Sequence, residues 1–456
     1  MQRKANILTV LILAGVVLGV LIGHFILWDP GLMLLDPAER SERIQQNTGW
    51  WHAAGDFILM RPLKLIAMPL IFTSVLIGVT GVGDPKRLGV LGGATLVFYL
   101  ATMIFAVTLG VTLGATLKPG DGVSEDLRAA AATVGEQHLG QRGLDDPGQQ
   151  DLGSAWRQIL ELMIPDNFVG AIVNEHFLSI ITVTIVMGIG LLIAGPRGRP
   201  FIAVVESLHE ALMILVRALL WIMPLGVMFL VAWSVGSMGL ANLAGALGKY
   251  AGIVALGLGI HMFVTLPLVL WLVGRVNPYK YMWQMRPALF TAFGTASSMA
   301  TLPVTIESAT NLGGCSKRSA GIVLPLGATV NMDGTALYQG IAVIFMFQAF
   351  GYDLHFAQYL AIVLTATLAA VGAAGIPAGG LVTTIIIISA VNSTLAAGDP
   401  TIPALPLAAA IGLILPVDRI LDMCRTSVNI WGDATGARII TRLAPDDVEE
   451  KEKAFS

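Results

Sequence analysis

The sequence predicts an all-α polytopic membrane protein: eight transmembrane helices plus two re-entrant helical hairpins. Three observations predict it. Of 456 residues, 55% are hydrophobic and 12% charged, about half the charged share of an ordinary soluble domain. Apolar runs long enough to cross a bilayer recur along the chain. Two further apolar segments are broken in their middles by small residues, Gly and Pro, as a simple crossing would not be.

The apolar runs fall near 7–27, 57–82, 89–117, 168–195, 200–236, 245–275, 317–350 and 402–440. The first follows Arg3 and Lys4 but is too long for a signal core and lacks a small-residue cleavage site, so it reads as a spanning helix. Basic residues set the orientation. With a cytoplasmic N-terminus, the inner loops collect Lys86, Arg87, Arg197, Arg199, Arg275, Lys280, Lys317 and Arg318. The outer loops near 237–243, 351–356 and 391–401 hold neither Lys nor Arg, as the positive-inside rule requires. Both termini are therefore expected in the cytoplasm of a cell-membrane protein. Residues 118–155, acidic with scattered Gly and Pro, read as a solvated outer connector with no assigned function.

The first broken segment, 287–310, contains Phe293-Gly294-Thr295-Ala296-Ser297-Ser298-Met299. The second, 357–390, contains Val371-Gly372-Ala373-Ala374-Gly375-Ile376-Pro377-Ala378-Gly379-Gly380. Each reads as a hairpin that enters and leaves on one side, the first from the cytoplasm and the second from outside. Hairpin plus crossing, repeated in inverted orientation, places a substrate where the hairpin tips meet. The seventh run is interrupted at Gly327-Ala328-Thr329-Val330-Asn331-Met332-Asp333-Gly334-Thr335. Asn and Asp flanked by Gly are poor helix formers, so an unwound turn with free carbonyls is expected there.

The last run carries Asp418, Arg419, Asp422, Arg425 and Asp433. At helical spacing Asp418, Asp422, Arg425, Thr426, Asn429 and Asp433 share an arc of about 100° and extend about 22 Å along the axis. Ionisable groups at that depth cost on the order of 3 kcal/mol each and mark a binding site. Arg425 can instead be a plain counter-ion to Asp422, and Asp333 with Asp433 a buried polar pair. The four aspartates against Arg419 and Arg425 leave a deficit that asks for cations. Tyr338 and Gln339 read as packing and hydrogen-bonding residues. An intramembrane aspartyl protease would also use two membrane aspartates, but the neighbouring Asn residues and the arginines suit ions and an anionic ligand better. An anion channel would need neither hairpins nor paired Asp and Arg. With a net charge of −3 and two cysteines, Cys315 and Cys424, there is no nucleic-acid footprint and no disulfide framework. No enzyme activity and no organic cofactor are expected.

These residues resemble the dicarboxylate/amino acid:cation symporter family, the glutamate and aspartate transporters. The resemblance spans nearly the whole chain and is most specific in Leu324 through Tyr338, in Gly372-Ala373-Ala374-Gly375-Ile376-Pro377 and in Asp422 through Asp433. It implies a homotrimer with an elevator mechanism. Residues 1–83 (helices 1 and 2) and 161–237 (helices 4 and 5) would form the scaffold. Residues 84–117 (helix 3) and 238–441 (helix 6, hairpin 1, helix 7, hairpin 2 and helix 8) would form the transport domain. Residues 118–160 would be the connector and 442–456 a cytoplasmic tail. The substrate would be L-aspartate or L-glutamate. Arg425 would take its side-chain carboxylate, Asp422 its amine, and Ser297, Ser298 and Asn429 its α-carboxylate. Thr335 and Thr426 would line the pocket, with Ile376 and Gly380 in the outer gate. One cation site would use Gly327, Asn331, Asn429 and Asp433; a second, the carbonyls of Thr329, Ala370, Val371 and Ala373; a third, Tyr99, Thr102, Asn331 and Asp333.

Three departures from the family pattern stand out. Met103 replaces an oxygen-bearing Ser beside the third site. The first tip has only two serines before Met299. Ala296 and Met423 stand where relatives carry an Arg, so Asp422 is expected to lack its customary partner. The oxygen-rich sites favour Na⁺ as the coupling ion over H⁺, and Gln339 occupies a position where proton-coupled vertebrate relatives have Glu. An H⁺-coupled amino acid or C4-dicarboxylate symporter is the alternative.

Overall fold

A computed structural model describes residues 2–29, 31, 37–81, 85–125, 127–129, 131–132, 135–136, 164–173, 176–238, 245–371, 379–398 and 400–444. Among these residues every regular element is helical. The principal helices are α1 (Gln2–Ile22), α2 (Pro37–Gly55), α3 (Arg61–Thr80), α4 (Pro85–Leu117), α5 (Phe177–Ala194), α6 (Arg199–Met238) and α7 (Gly245–Ile260). They continue with α8 (Pro278–Thr295), α9 (Ser298–Glu307), α10 (Lys317–Val330), α11 (Asp333–Ala349), α12 (Phe356–Ala370), α13 (Gly379–Gly398) and α14 (Leu407–Leu443).

Among the described residues, six helical stretches are long and apolar enough to cross a membrane: Val10–Leu27, Glu42–Thr80, Leu91–Leu117, Ser179–Arg197, Arg199–Ser237 and Leu247–Gly274. The other two expected crossings are the broken pair α10 and α11, and α14. The last of these is interrupted by charge rather than by length. One element was not anticipated. The segment preceding α3 forms α2, whose mean hydropathy is too low for a core helix, yet Trp50 and Trp51 pack against Phe229 of α6.

Helices α1, α2, α3, α5 and α6 pack as one group. Lipid tails are as apolar as leucine, so close approach of backbones holds such helices together more than burial does. Gly15 and Gly19 on α1, and Gly23 just past its end, show this. A Cβ on them would lie 2.4, 2.8 and 2.7 Å from the carbonyl oxygens of Pro224, Met228 and Ala232 on α6. A second group gathers α4 and α7 around α11, with α12 beside α13 and α4. Helix α14 joins the parts, packing on α8, α10 and α11.

Both hairpins form where the sequence breaks, with adjusted bounds. The first begins at Pro278, capped by Asn277, and turns at Ala296 (φ +49°) into Ser297, leaving Pro303 inside α9. It packs against α3 and α6. The second runs out along α12 and back along α13. Its tip, 372–378 with Ala373 and Ile376, lies outside the described residues. The expected unwound turn is present as Asn331 and Met332, between α10 and α11. The start of the connector is not the solvated stretch expected. Val123 and Ala131 are buried in the second group, and the Gly120 N–H donates to Gln348 Oε1 at 3.1 Å. Residues 137–163 lie outside the described residues.

Candidate functional site

The site lies where the unwound turn, the first hairpin tip and the charged face of α14 converge. Asn429 ties α14 to the unwound turn. Its side-chain oxygen accepts from the Gly334 and Thr335 N–H groups at 2.7 and 3.4 Å, and its Nδ2 donates to Thr335 Oγ1 at 3.2 Å. The first turn of α11 is thereby capped from another helix. Gly334 permits this approach, because a Cβ there would sit 2.4 Å from the Arg425 carbonyl oxygen. Ser427 Oγ donates to the Leu289 carbonyl at 3.1 Å, fixing α14 on the first hairpin.

One half of the site is ionic. Arg425, with 10% of its side chain exposed, spans two carboxylates: Nη1 meets Asp418 Oδ1 at 2.9 Å and Nε meets Asp422 Oδ1 at 3.0 Å. Tyr338 donates to Asp418 Oδ1 at 2.7 Å and places its ring centroid 4.4 Å from the guanidinium carbon. Arg425 is thus a counter-ion to both acids, a role left open by the sequence. The remaining edge faces the second hairpin: a Cβ on Gly380 would lie 3.8 Å from Nη2. Asp422 does not lack a second arginine. Arg419, one turn earlier rather than at 296 or 423, brings Nη1 to 3.8 Å of Asp422 Oδ2. Thr426 donates to the Asp422 carbonyl at 2.7 Å, within the helix.

At the first hairpin tip, Ser297 caps α9 by accepting from the Ala300 N–H at 3.2 Å. The earliest amides of that helix, on Ser298 and Met299, remain as donors for an anion at a helix start. Gln339 reaches the second hairpin, donating to the Gly380 carbonyl at 3.3 Å and to Thr383 Oγ1.

The other half has aspartates without arginine. Asp433 Oδ1 accepts from Asn331 Nδ2 at 2.9 Å, and Asp333 Oδ1 from Thr102 at 3.1 Å. Asn331, Asp333 and Asp433 are all almost wholly buried, and Asn331 Oδ1 has no partner. Gly327 lies within this cluster: a Cβ there would stand 2.4 Å from the Tyr99 hydroxyl and 2.5 Å from Asp433 Oδ1. Carboxylates without an arginine partner, an orphan amide oxygen and a cradle without side-chain bulk fit a small hard cation that takes oxygen ligands. Tyr99 itself donates to the Val323 carbonyl at 2.9 Å.

Thus Gly327, Asn331 and Asp433 of the first expected cation site come together with Tyr99, Thr102 and Asp333 of the third, while Asn429 is engaged with the first turn of α11. For the second, Thr329 is buried on α10, and Ala370 and Val371 end α12; Ala373 is outside the described residues. Sequence reasoning missed His261. Fully buried, it brings Nε2 to 3.2 Å of Asp333 Oδ2, while its Nδ1 has no partner. It opens a π-helical stretch, His261–Thr265, a distortion frequent at functional sites. A lone histidine in an apolar run was the available signal. Met103 is buried in an apolar cluster that also holds Ala106 and Val107.

Residues 8–443 match the sodium:dicarboxylate symporter family. The chain belongs to that family. It is 35% identical to neutral amino acid transporter B(0) of Oryctolagus cuniculus over 458 residues, covering 96% of this chain and 80% of that protein. It is 33% identical to excitatory amino acid transporter 3 of the same organism, covering 98% and 87%. Excitatory amino acid transporter 1 of Ambystoma tigrinum is 33% identical, covering 86% and 77%. The protein is therefore a multi-pass membrane transporter of a sodium-coupled family, not an enzyme.

Proposed function

We propose that this symporter carries an acidic amino acid, L-aspartate or L-glutamate, into the cell together with Na⁺. The observation carrying this reading is Arg425: a buried guanidinium beside Asp422, with one edge open toward Gly380. A planar fork pairs well with a carboxylate. A substrate bearing both an amine and a side-chain carboxylate would restore the charge pairing on Asp422 and Arg425 when it enters. Its α-carboxylate would take the amides at the start of α9. A plain dicarboxylate would leave Asp422 without the amine.

Sodium is assigned to the arginine-free half. There Asp433, Asn331, Gly327 and Asn429 would hold one ion and Tyr99, Thr102, Asn331 and Asp333 another, with Thr329, Ala370, Val371 and Ala373 forming a further shell. Cations offset the aspartates and the anionic substrate, lowering the cost of carrying the loaded site across a bilayer. We assign α1, α2, α3, α5 and α6 to a trimeric scaffold and the remaining helices to a moving transport body. The first hairpin packs on α3 and α6 while the second packs mainly on α4, α11 and within itself. This arrangement supports a state whose site is reached from the second hairpin's side, outside the cell if both termini are cytoplasmic.

A second reading is Na⁺-coupled transport of a neutral amino acid. It is supported by the relatives named neutral amino acid transporter B(0), and by the fact that Arg425 is already paired with Asp418 and Asp422. Proteoliposomes separate these readings. A Na⁺ gradient should drive accumulation of labelled L-aspartate, with L-glutamate competing and L-alanine and succinate competing poorly. Preferential uptake of L-alanine establishes the second reading. Succinate outcompeting aspartate refutes the role of Asp422, and accumulation driven by a pH gradient in Na⁺-free buffer refutes sodium coupling.

A further inference from the structure

Arg419 belongs to the charged run of α14, yet it is held by a different body. Its Nε donates to Ser234 Oγ at 3.3 Å, and its guanidinium carbon lies 5.0 Å from the Trp233 ring centroid. Both partners are on α6. Ser234 donates its own proton to the Leu230 carbonyl at 2.8 Å, so its oxygen is free to accept from Arg419. Trp233 is braced by His52 of α2, with ring centroids 4.2 Å apart. The far edge of Arg419 stands 3.8 Å from Asp422 Oδ2, too long for a direct hydrogen bond. Asp422 Oδ1 is taken by Arg425 at 3.0 Å. One oxygen of Asp422 is therefore firmly paired and the other only loosely.

We propose that Arg419 is a positioning residue linking the substrate site to the scaffold. While Trp233 and Ser234 hold it, Asp422 Oδ2 stays open to the substrate amine. When α14 slides away from α6, the guanidinium loses both neutral partners. A partly buried guanidinium that loses its neutral partners turns to the nearest anion, and Asp422 Oδ2 is already within 3.8 Å. Arg419 then closes on that oxygen and competes with the amine. Binding is tight in the state where the scaffold holds Arg419 and weaker after the movement, which favours release on the far side. This inference rests on the preceding assignment of the amine to Asp422 and of α6 to the scaffold.

A thermodynamic cycle tests it. The full chain is reconstituted, and L-aspartate affinity is measured in saturating Na⁺ for wild type, Trp233→Leu/Ser234→Ala, Arg419→Gln, and the three substitutions together. Releasing Arg419 should weaken binding on the order of tenfold, whereas Arg419→Gln alone should not weaken it, and the triple variant should match Arg419→Gln. Restoration in the triple variant also excludes misfolding as the cause. Equal weakening with and without Arg419, or no weakening on release, overturns the proposal. If wild type binds L-alanine instead of L-aspartate, only the acidic assignment falls. The same cycle is then read with L-alanine, whose amine meets the same carboxylate. A wild-type chain that binds no amino acid in Na⁺ overturns both readings.

Discussion

The two pairs of aspartates in the site are compensated differently. Asp418 and Asp422 face Arg425, with Arg419 nearby. Asp333 and Asp433 are deeper, and their side-chain partners are a hydroxyl, an amide and an imidazole. A buried carboxylate with an arginine can exist without any ligand, whereas one with only neutral donors carries a standing desolvation cost. On the reading proposed above, the first pair would take a ligand with charges of both signs. The second pair calls for net positive charge, which the protein itself does not fully supply.

The largest test of this contrast is Asp433→Ala. If the arginine-free half holds Na⁺, this change should abolish Na⁺-driven uptake, a loss of roughly a hundredfold or more, because a ligand and its charge are removed together. Binding measured across a Na⁺ titration should show the Na⁺ dependence displaced to far higher concentration. Unchanged Na⁺ dependence would assign Asp433 to structure alone. Arg425→Ala comes next. Removing the fork should cost acidic-substrate affinity by about two orders of magnitude while sparing or admitting neutral amino acids. Competition assays with L-aspartate and L-alanine read the switch, and equal losses for both substrates would contradict the side-chain role.

His261 provides a smaller test on the Asp333 side. His261→Leu should raise the Na⁺ concentration needed for half-maximal uptake about tenfold by removing a polar partner from a buried carboxylate. His261→Gln, which keeps a donor, should recover most of it. If Leu and Gln behave alike, the imidazole does not position Asp333.

Much of this contrast was legible in the sequence, for reasons that also explain the omissions. The α14 stripe could be read because helical spacing alone puts Asp418, Asp422, Arg425 and Asn429 on one face. The break at Asn331-Met332 was visible because Gly, Asn and Asp disfavour helix, and the hairpins because Gly and Pro interrupt apolar runs. Contacts between distant segments were not legible. His261 lies 72 residues from Asp333, and no local pattern joins them. Positions 296 and 423 hold no arginine, and the second arginine near Asp422 is Arg419, which arrives from the preceding turn of the same helix. Helix α2 is not legible because its polar composition hides the aromatic contacts of Trp50 and Trp51 with α6.

The smallest expected effect sharpens the comparison from the ionic side. Tyr338→Phe removes the hydroxyl that donates to Asp418 at 2.7 Å but leaves the ring 4.4 Å from the Arg425 guanidinium carbon. Asp418 keeps its 2.9 Å ion pair with Arg425, so it remains compensated. Loss of one hydrogen bond of this kind costs about 1 kcal/mol, and substrate affinity should fall only about threefold to tenfold. The matching change across the site is Asn331→Leu, which takes from Asp433 its side-chain donor and from the cation cluster an oxygen. Its Na⁺ dependence should shift far more than the aspartate affinity of Tyr338→Phe. Measured side by side in the same reconstituted system, comparable losses from the two substitutions would mean that Asp433 is compensated as fully as Asp418, and that the deeper half of the site does not need an added cation.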